Sequence, residues 1–175
     1  MGTAASASRP GEGEFLPYYE RYIALVPAGD VLSTLDTQMS ETQDLLRGLP
    51  ASISTYRYAP GKWSVNEVIG HVVDSERMFA SRALRFARND PTPLPGFEQD
   101  DYVRNSKFDS YPLVELASEL DSVRRATVFL FKHLEEPAWM RRGVANNAEV
   151  SVRALAYIIA GHELHHRQML VARYL

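Results

Sequence analysis

Apolar residues recur along most of the chain at three- and four-residue spacing, the period of helices with one buried face. Four long segments show it. In the first, Leu32, Leu35, Met39, Leu45 and Leu46 form the stripe, Asp30 stands at the N-cap position, and Gly48-Leu49-Pro50 ends the run. The second opens on Ser64-Val65-Asn66-Glu67, a capping box in which the Ser side chain satisfies one free N–H and Glu67 reaches back to another. Its stripe is Val65, Val68, Val72, Phe79, Ala83 and Phe86, closed by Asn89-Asp90-Pro91. The third starts near Asp109-Ser110 with Pro112 in its first turn, continues through Leu113, Leu116, Leu120, Val123, Thr127, Leu130 and Leu134, and ends at Glu135-Glu136-Pro137. The last runs from an N-cap at Ser151 to Tyr174. Pro17 to Val26 predicts a short helix that lids the others.

Between the second and third segments lies a long loop, about Asn89 to Phe108, whose three prolines and glycine forbid a regular helix. Loops of this length in compact domains are often functional. A later loop holds Trp139 and the turn signals Gly143 and Asn146-Asn147. No alternating pattern is long enough to build a sheet, and there is no internal repeat. The expected fold is therefore all-α, a four-helix bundle with a long crossover that lets helices two and three run parallel. Residues 1–14, small, polar and Gly/Pro-rich, read as a flexible tail before a single domain over 15–175. Met1-Gly2 to Ser6 fits the loose myristoylation pattern, but nothing else points to a membrane.

Composition narrows the function classes. With 175 residues, 45% hydrophobic and 23% charged, the chain is an ordinary globular one of a single core. Net charge is -3, and no basic block interleaves with aromatics, so neither nucleic acid nor an anionic membrane is implied as a partner. Cysteine is absent, which removes disulfides, thiolate ligands and a cysteine nucleophile, and makes a cytoplasmic location the expectation.

The candidate chemistry sits near the C-terminus, in Gly161-His162-Glu163-Leu164-His165-His166. Three of five histidines fall there. On a helix His162 and His166 are one turn apart and share a face, so both imidazoles can reach one metal ion. On the helical wheel they lie with Leu155, Ile159, Met169 and Leu170 in one sector of about 100°, while His165 is rotated about 80–100° away. His71, on the second helix at the edge of its apolar stripe, can converge with them if the two helices are neighbours of suitable direction. Three nitrogen donors with open positions make a catalytic arrangement rather than a closed structural one. His133, at the end of helix three, reads as a partly exposed helix-terminal residue. The stretch also matches the protease pattern H-E-x-x-H. However, no His, Asp or Glu follows His166, and Glu163 lies about 60–100° off the ligand line, so the match is read as accidental.

Lys62-Trp63-Ser64, Glu67, Gly70-His71-Val72-Val73-Asp74, the segment Leu94 to Val103, and Gly161 to Gln168 together resemble the DinB/YfiT-like superfamily, in its DinB_2 branch, over about Tyr18 to Leu175. The resemblance implies a four-helix bundle with a long crossover, often a homodimer. It also implies a divalent metal, zinc or nickel, held by His71, His162 and His166. It further implies a metal-dependent enzyme that activates a low-molecular-weight thiol (S-transferase type) or water (hydrolase type) against a small-molecule substrate. The competing expectation is a non-catalytic metal-binding or stress-response module. Either chemistry calls for a nearby base. Asp74 is the candidate, as base or as a hydrogen-bond partner of a ligand histidine. Glu67 reads better as the capping box. Glu98, Asp100, Asp101 and Tyr102 read as solvated loop residues rather than pocket lining.

Overall fold

A computed structural model describes residues 8–175. Four long helices form the bundle: α2 (Val31–Arg47), α3 (Val65–Ala87), α5 (Leu113–Lys132) and α7 (Val152–Arg173). Their ends obey the local chemistry of the sequence. Asp30 accepts from the Ser33 N–H, Ser151 from the Ala154 N–H, and Ser64 with Glu67 makes the full capping box. Helix α5 begins later than the Asp109-Ser110 signal, because that segment forms a 3-10 turn and Pro112 becomes the N-cap.

Long-range contacts fix the topology. Tyr174 Oη donates to the Trp63 carbonyl while Arg141 reaches the Ala87 carbonyl, so α3 and α7 are antiparallel neighbours. Asn66 bonds the carbonyls of Phe108 and Tyr111 at one end, and Arg77 meets Glu119 further along, so α3 and α5 run parallel. Gln38 and Thr42 meet Ala160 and Glu163, which sets α2 parallel to α7. The successive helices α2 and α3 occupy opposite corners, each packed against both α5 and α7. Parallel α3 and α5 need a chain that returns the length of the bundle, and the crossover does this.

Two connections differ from expectation. The crossover contains a seven-residue helix, α4 (Gln99–Asn105), which starts after the last proline and glycine and so escapes their restriction. The loop after α5 holds a short helix, α6 (Glu136–Trp139), and a two-stranded hairpin, β1 (Arg142–Ala145) with β2 (Ala148–Ser151). Each strand is only four residues long, too short to show an alternating pattern. Asn146 and Asn147 both take positive φ, 52° and 60°, as a tight hairpin turn demands. Leu94 of the crossover bonds this hairpin through Val144 O and Asn146 N, which ties the crossover down beside the site.

The tail expectation, with its acylation pattern, lies outside the described residues for 1–7. Residues 8–14 are held in place. Arg9 donates to the carbonyls of Ile23 and Val26, and Glu14 is buried against Arg153 and Ser151. Pro17–Tyr19 forms a 3-10 turn and α1 (Glu20–Ile23) follows, lying on α7. Gly161 makes that contact possible, since a Cβ there would run into the Tyr22 backbone.

The interior has layers. One apolar cluster, with Ile23, Leu35, Phe79, Phe86, Phe131, Trp139 and Leu155, fills one end. A second, with Leu46, Val65, Ile69, Phe108, Leu116 and Leu170, fills the other. Between them each long helix contributes buried polar residues: Gln38 and Thr42; His71, Ser75 and Glu76; Arg124; and His162, Glu163 and His166. No helix is long and apolar enough to cross a membrane among the described residues.

Candidate metal centre

The polar layer brings His71, His162 and His166 together. His71 Nε2 lies 3.1 Å from His162 Nε2, and His166 Nε2 lies 3.2 Å from it. All three donor atoms fall within 4.8 Å of one another, and all three residues are buried. Nitrogens about 2.0–2.1 Å from a shared ion stand about 2.9 Å apart at a right angle and about 3.3 Å apart at a tetrahedral one, so the spacing suits one ion. Hydrogen bonds alone fit it poorly. A neutral imidazole has one lone pair in the ring plane, and His162 Nε2 faces two neighbouring ring nitrogens.

Burial sets the protonation state. It holds His71 down to about 4, and it holds His162 and His166 well below the usual histidine range, with the charges of the neighbouring histidines adding to the effect. All three are therefore neutral at pH 7 and able to donate a lone pair. His71 Nδ1 faces Ser75 Oγ at 3.4 Å, one turn on along α3, leaving Nε2 for the centre. Aromatic rings pack around the donors: Trp63 on His71 at 4.8 Å, and Tyr22 edge-on to His162 at 5.3 Å.

A cavity of about 320 Å³ opens from this cluster. Its floor is His71, Ser75, Phe79 and Arg82 of α3, with His162. Leu16, Tyr18, Tyr19 and Tyr22 wall one side, Gly96 to Gln99 of the crossover another, and Asn146 of the hairpin closes the rim. Burial pushes the Tyr22 phenol up to about 12, so it remains a proton donor across the physiological range.

The other candidates fall elsewhere. His165 is half-buried against Tyr22 and outside the convergence. His133 is exposed at the C-cap of α5. Asp74 does not line the cavity. It sits 60° round the helix from His71, 3.5 Å from Arg77, and burial raises its carboxyl against the pull of that arginine. Ser75 takes the place at His71 Nδ1 that Asp74 was expected to fill. Glu67 is engaged in the capping box and with Arg57. In the crossover Glu98 lines the cavity, whereas Asp101 pairs with Arg104, and Tyr102 packs on Phe97 at 5.2 Å.

Glu163 has a role that the wheel did not show. It accepts from Thr42 Oγ1 at 2.5 Å and pairs with Arg124 at 2.6 Å, and Arg124 also holds Glu76 at 2.8 Å and 2.9 Å. Arg124 is 1% exposed, its carboxylate partners 2% and 3%. Burial disfavours the guanidinium charge, and the two carboxylates outweigh that and raise its pKa. Ser75, Tyr19, Tyr22 and Arg82 are further site residues that sequence reasoning missed. One usable signal existed: His71, Ser75 and Arg82 stand at i, i+4 and i+11, which returns to the same line of a helix within about 40°.

Comparison with known proteins agrees with this arrangement. Residues 34–170 match the DinB superfamily pattern. Over 137 residues the chain is 27% identical to the "Putative metal-dependent hydrolase OB0413" of Oceanobacillus iheyensis, covering 77% of this chain and 76% of that protein. Among solved structures, YfiT from Bacillus subtilis, described as a probable metal-dependent hydrolase with an unusual four-helix bundle topology, superposes with a TM-score of 0.68 at 14% identity, covering 96% of this chain and 94% of that one. A mycothiol-dependent maleylpyruvate isomerase gives 0.64 at 12% identity over 78% of this chain and 58% of the other. A DinB-like protein of Bacillus subtilis, YjoA, gives 0.60 at 21% identity over 81% and 87%. Bundle topology, the buried three-histidine cluster fit for a divalent metal, and the sequence pattern agree: the chain belongs to the DinB superfamily.

Proposed function

We propose that this protein is a metal-dependent enzyme in which His71, His162 and His166 hold one divalent ion and an exogenous nucleophile is activated beside it. The observation that supports this best is the convergence of three buried, neutral imidazoles on one point at the wall of an open cavity. Three protein ligands leave coordination positions free, the pattern of catalytic rather than structural sites. When bound, the ion supplies Lewis acidity and lowers the pKa of a coordinated nucleophile.

The chain's own residues do the rest. Ser75, 3.4 Å from His71 Nδ1, orients the ring with Nε2 toward the centre. Tyr22 lines the cavity beside His162 with its phenol protonated and its oxygen accepting from Arg21 at 2.8 Å, and its O–H is the donor assigned to negative charge that develops on the substrate. Trp63 and Phe79 exclude water from the histidine side. Hydrolysis, with water as nucleophile, is the reading supported by the names of the relatives. A thiol nucleophile is favoured by one feature of the cavity: Glu98, exposed at the rim, is the single carboxylate in its lining among the described residues. A thiol, with a pKa near 8.5, needs less help from a general base than water does.

Metal analysis of the purified protein, followed by turnover of a panel of aryl esters and alkyl electrophiles with and without a low-molecular-weight thiol, separates these readings. About one ion per chain and chelator-sensitive ester turnover is expected for hydrolysis. Turnover only when thiol is added identifies the transferase. A metal-loaded protein inert to the whole panel would instead mark a binding module.

A further inference from the structure

A buried positive charge, Arg82, faces the same cavity, and no ion pair neutralises it among the described residues. Arg82 is 4% exposed. One of its Nη atoms donates to the Pro95 carbonyl at 2.8 Å, its Nε is buried with no partner, and no carboxylate pairs with it among the described residues. Burying a guanidinium without a counter-charge is costly, and proteins ordinarily compensate it. The other deeply buried arginine of the bundle, Arg124, has two carboxylates.

The surroundings of Arg82 are those of a ligand site. Its guanidinium carbon lies 5.9 Å from the Phe79 ring centroid and 5.8 Å from that of Phe97, so aromatic surface from α3 and from the crossover flanks it. The Tyr19 phenol lies close enough for the Arg82 charge to work against the burial that raises its pKa. Along α3, Arg82 stands eleven residues beyond His71, about 16 Å at the backbone, with Ser75 and Phe79 between them on the same cavity wall.

We propose that Arg82, with Tyr19, forms a carboxylate subsite at the end of the cavity remote from the histidines. The substrate class is then a small organic acid with an apolar or aromatic middle, its carboxylate on Arg82 and its reacting group at the metal centre. The inference rests on the reading of the cavity as a substrate site, but the subsite itself needs no metal. A single guanidinium fork matches a monoanionic carboxylate, and no second cation is present in the lining for a phosphate dianion.

The test is binding of 3-phenylpropionate, 3-phenylpropionamide and phenyl phosphate to the full chain, followed by calorimetry or NMR shifts, in chelated and metal-loaded protein. In the chelated protein the acid should bind at least about tenfold tighter than the amide, and tighter than phenyl phosphate. That preference should persist in His162→Ala, disappear in Arg82→Gln, and weaken in Arg82→Lys, which keeps the charge but loses the fork. If Arg82→Gln does not fold by circular dichroism, Arg82→Lys and the acid-to-amide ratio of the wild type decide. Equal binding of acid and amide, no binding of either at about 10 mM, tighter binding of the phosphate, or a preference unchanged by both Arg82 substitutions overturns the proposal. An acid preference that vanishes on chelation while surviving in Arg82→Gln would assign the carboxylate to the metal. It would overturn the subsite and leave the metal centre standing.

Discussion

Two buried clusters share one layer of this bundle and use adjacent residues to do opposite things. His162 and Glu163 are neighbours on α7, as are Ser75 and Glu76 on α3. One of each pair turns to the histidine cluster, the other to Arg124. The Arg124 cluster is closed: two carboxylates, a threonine hydroxyl and the Leu35 carbonyl satisfy it inside the protein. The histidine cluster is open to a cavity, and its three neutral donors converge on one point. The two meet at a cavity of about 10 Å³ lined by Thr42, Glu163 and His166, room for about one water. A buried polar group that satisfies itself specifies the packing. One that leaves its lone pairs converging on a point specifies a ligand.

The largest effect should come from breaking the closed cluster. Arg124→Met strands Glu76 and Glu163 in the interior and should cost about 3–5 kcal/mol in urea denaturation of the metal-free protein. Replacing all three residues with apolar ones of similar volume should recover most of that loss, because no buried charge is then left unpaired. A single-variant cost under about 1 kcal/mol would show that the cluster is not structural.

His162→Ala should divide the two clusters from the other side. His162 Nε2 is the atom that lies near both other donors. Its removal should lower metal affinity by more than about 100-fold, a larger loss than perturbing an outer partner such as Ser75 gives. The stability of the metal-free protein should fall by less than it does in Arg124→Met, since no charge is stranded. Metal content by mass spectrometry and a denaturation curve on one preparation read both quantities. A variant that still holds one tightly bound ion would remove His162 from the site.

Acid tests the histidine cluster on its own. His71 titrates near 6.5 when unfolded and near 4 when folded, and His162 and His166 shift the same way through burial. The unfolded chain therefore binds more protons in this window, and stability is lost as pH falls below about 6.5. The slope for the metal-free protein is about 1.4 kcal/mol per pH unit for each histidine involved. Denaturation curves at pH 7, 6 and 5 should show that loss, and His71→Leu should make it shallower. An unchanged slope in that variant would mean that His71 is not the buried neutral group it appears in the fold.

The contrast also explains what could be read from the chain in advance. The helix ends are local chemistry, so Asp30, Ser64 and Ser151 mark them in the sequence as in the fold. The i, i+4 spacing of His162 and His166 likewise places both on one face wherever the helix goes. Glu163 was illegible because α7 is buried on nearly every side, from Val152 to Leu164 with Arg153 half-exposed, so one apolar stripe does not describe its inner face. Gln38, Thr42 and Arg124 look like surface residues of amphipathic helices. What buries them is a partner more than 40 residues away. Arg82 is buried in the same way, by the folded-back crossover and by Tyr19.

The smallest effect is expected at His165, and it is the sharpest check on which histidines matter. His165 belongs to the same local run as His162 and His166, and is nearer to each in sequence than His71 is. In the fold its ring meets the edges of Tyr22, at 5.3 Å, and of His166, at 5.1 Å, but it takes no part in the convergence of donor atoms. His165→Ala should leave one ion per chain and cost about 1 kcal/mol of stability, the scale of a lost edge-on ring contact. His71→Ala, some ninety residues away in sequence, should abolish tight binding. Metal analysis of the two variants side by side compares sequence proximity with spatial convergence directly. Loss of the ion in His165→Ala and its retention in His71→Ala would place the centre on one helix and undo the division of α7 into a ligand face and a structural face.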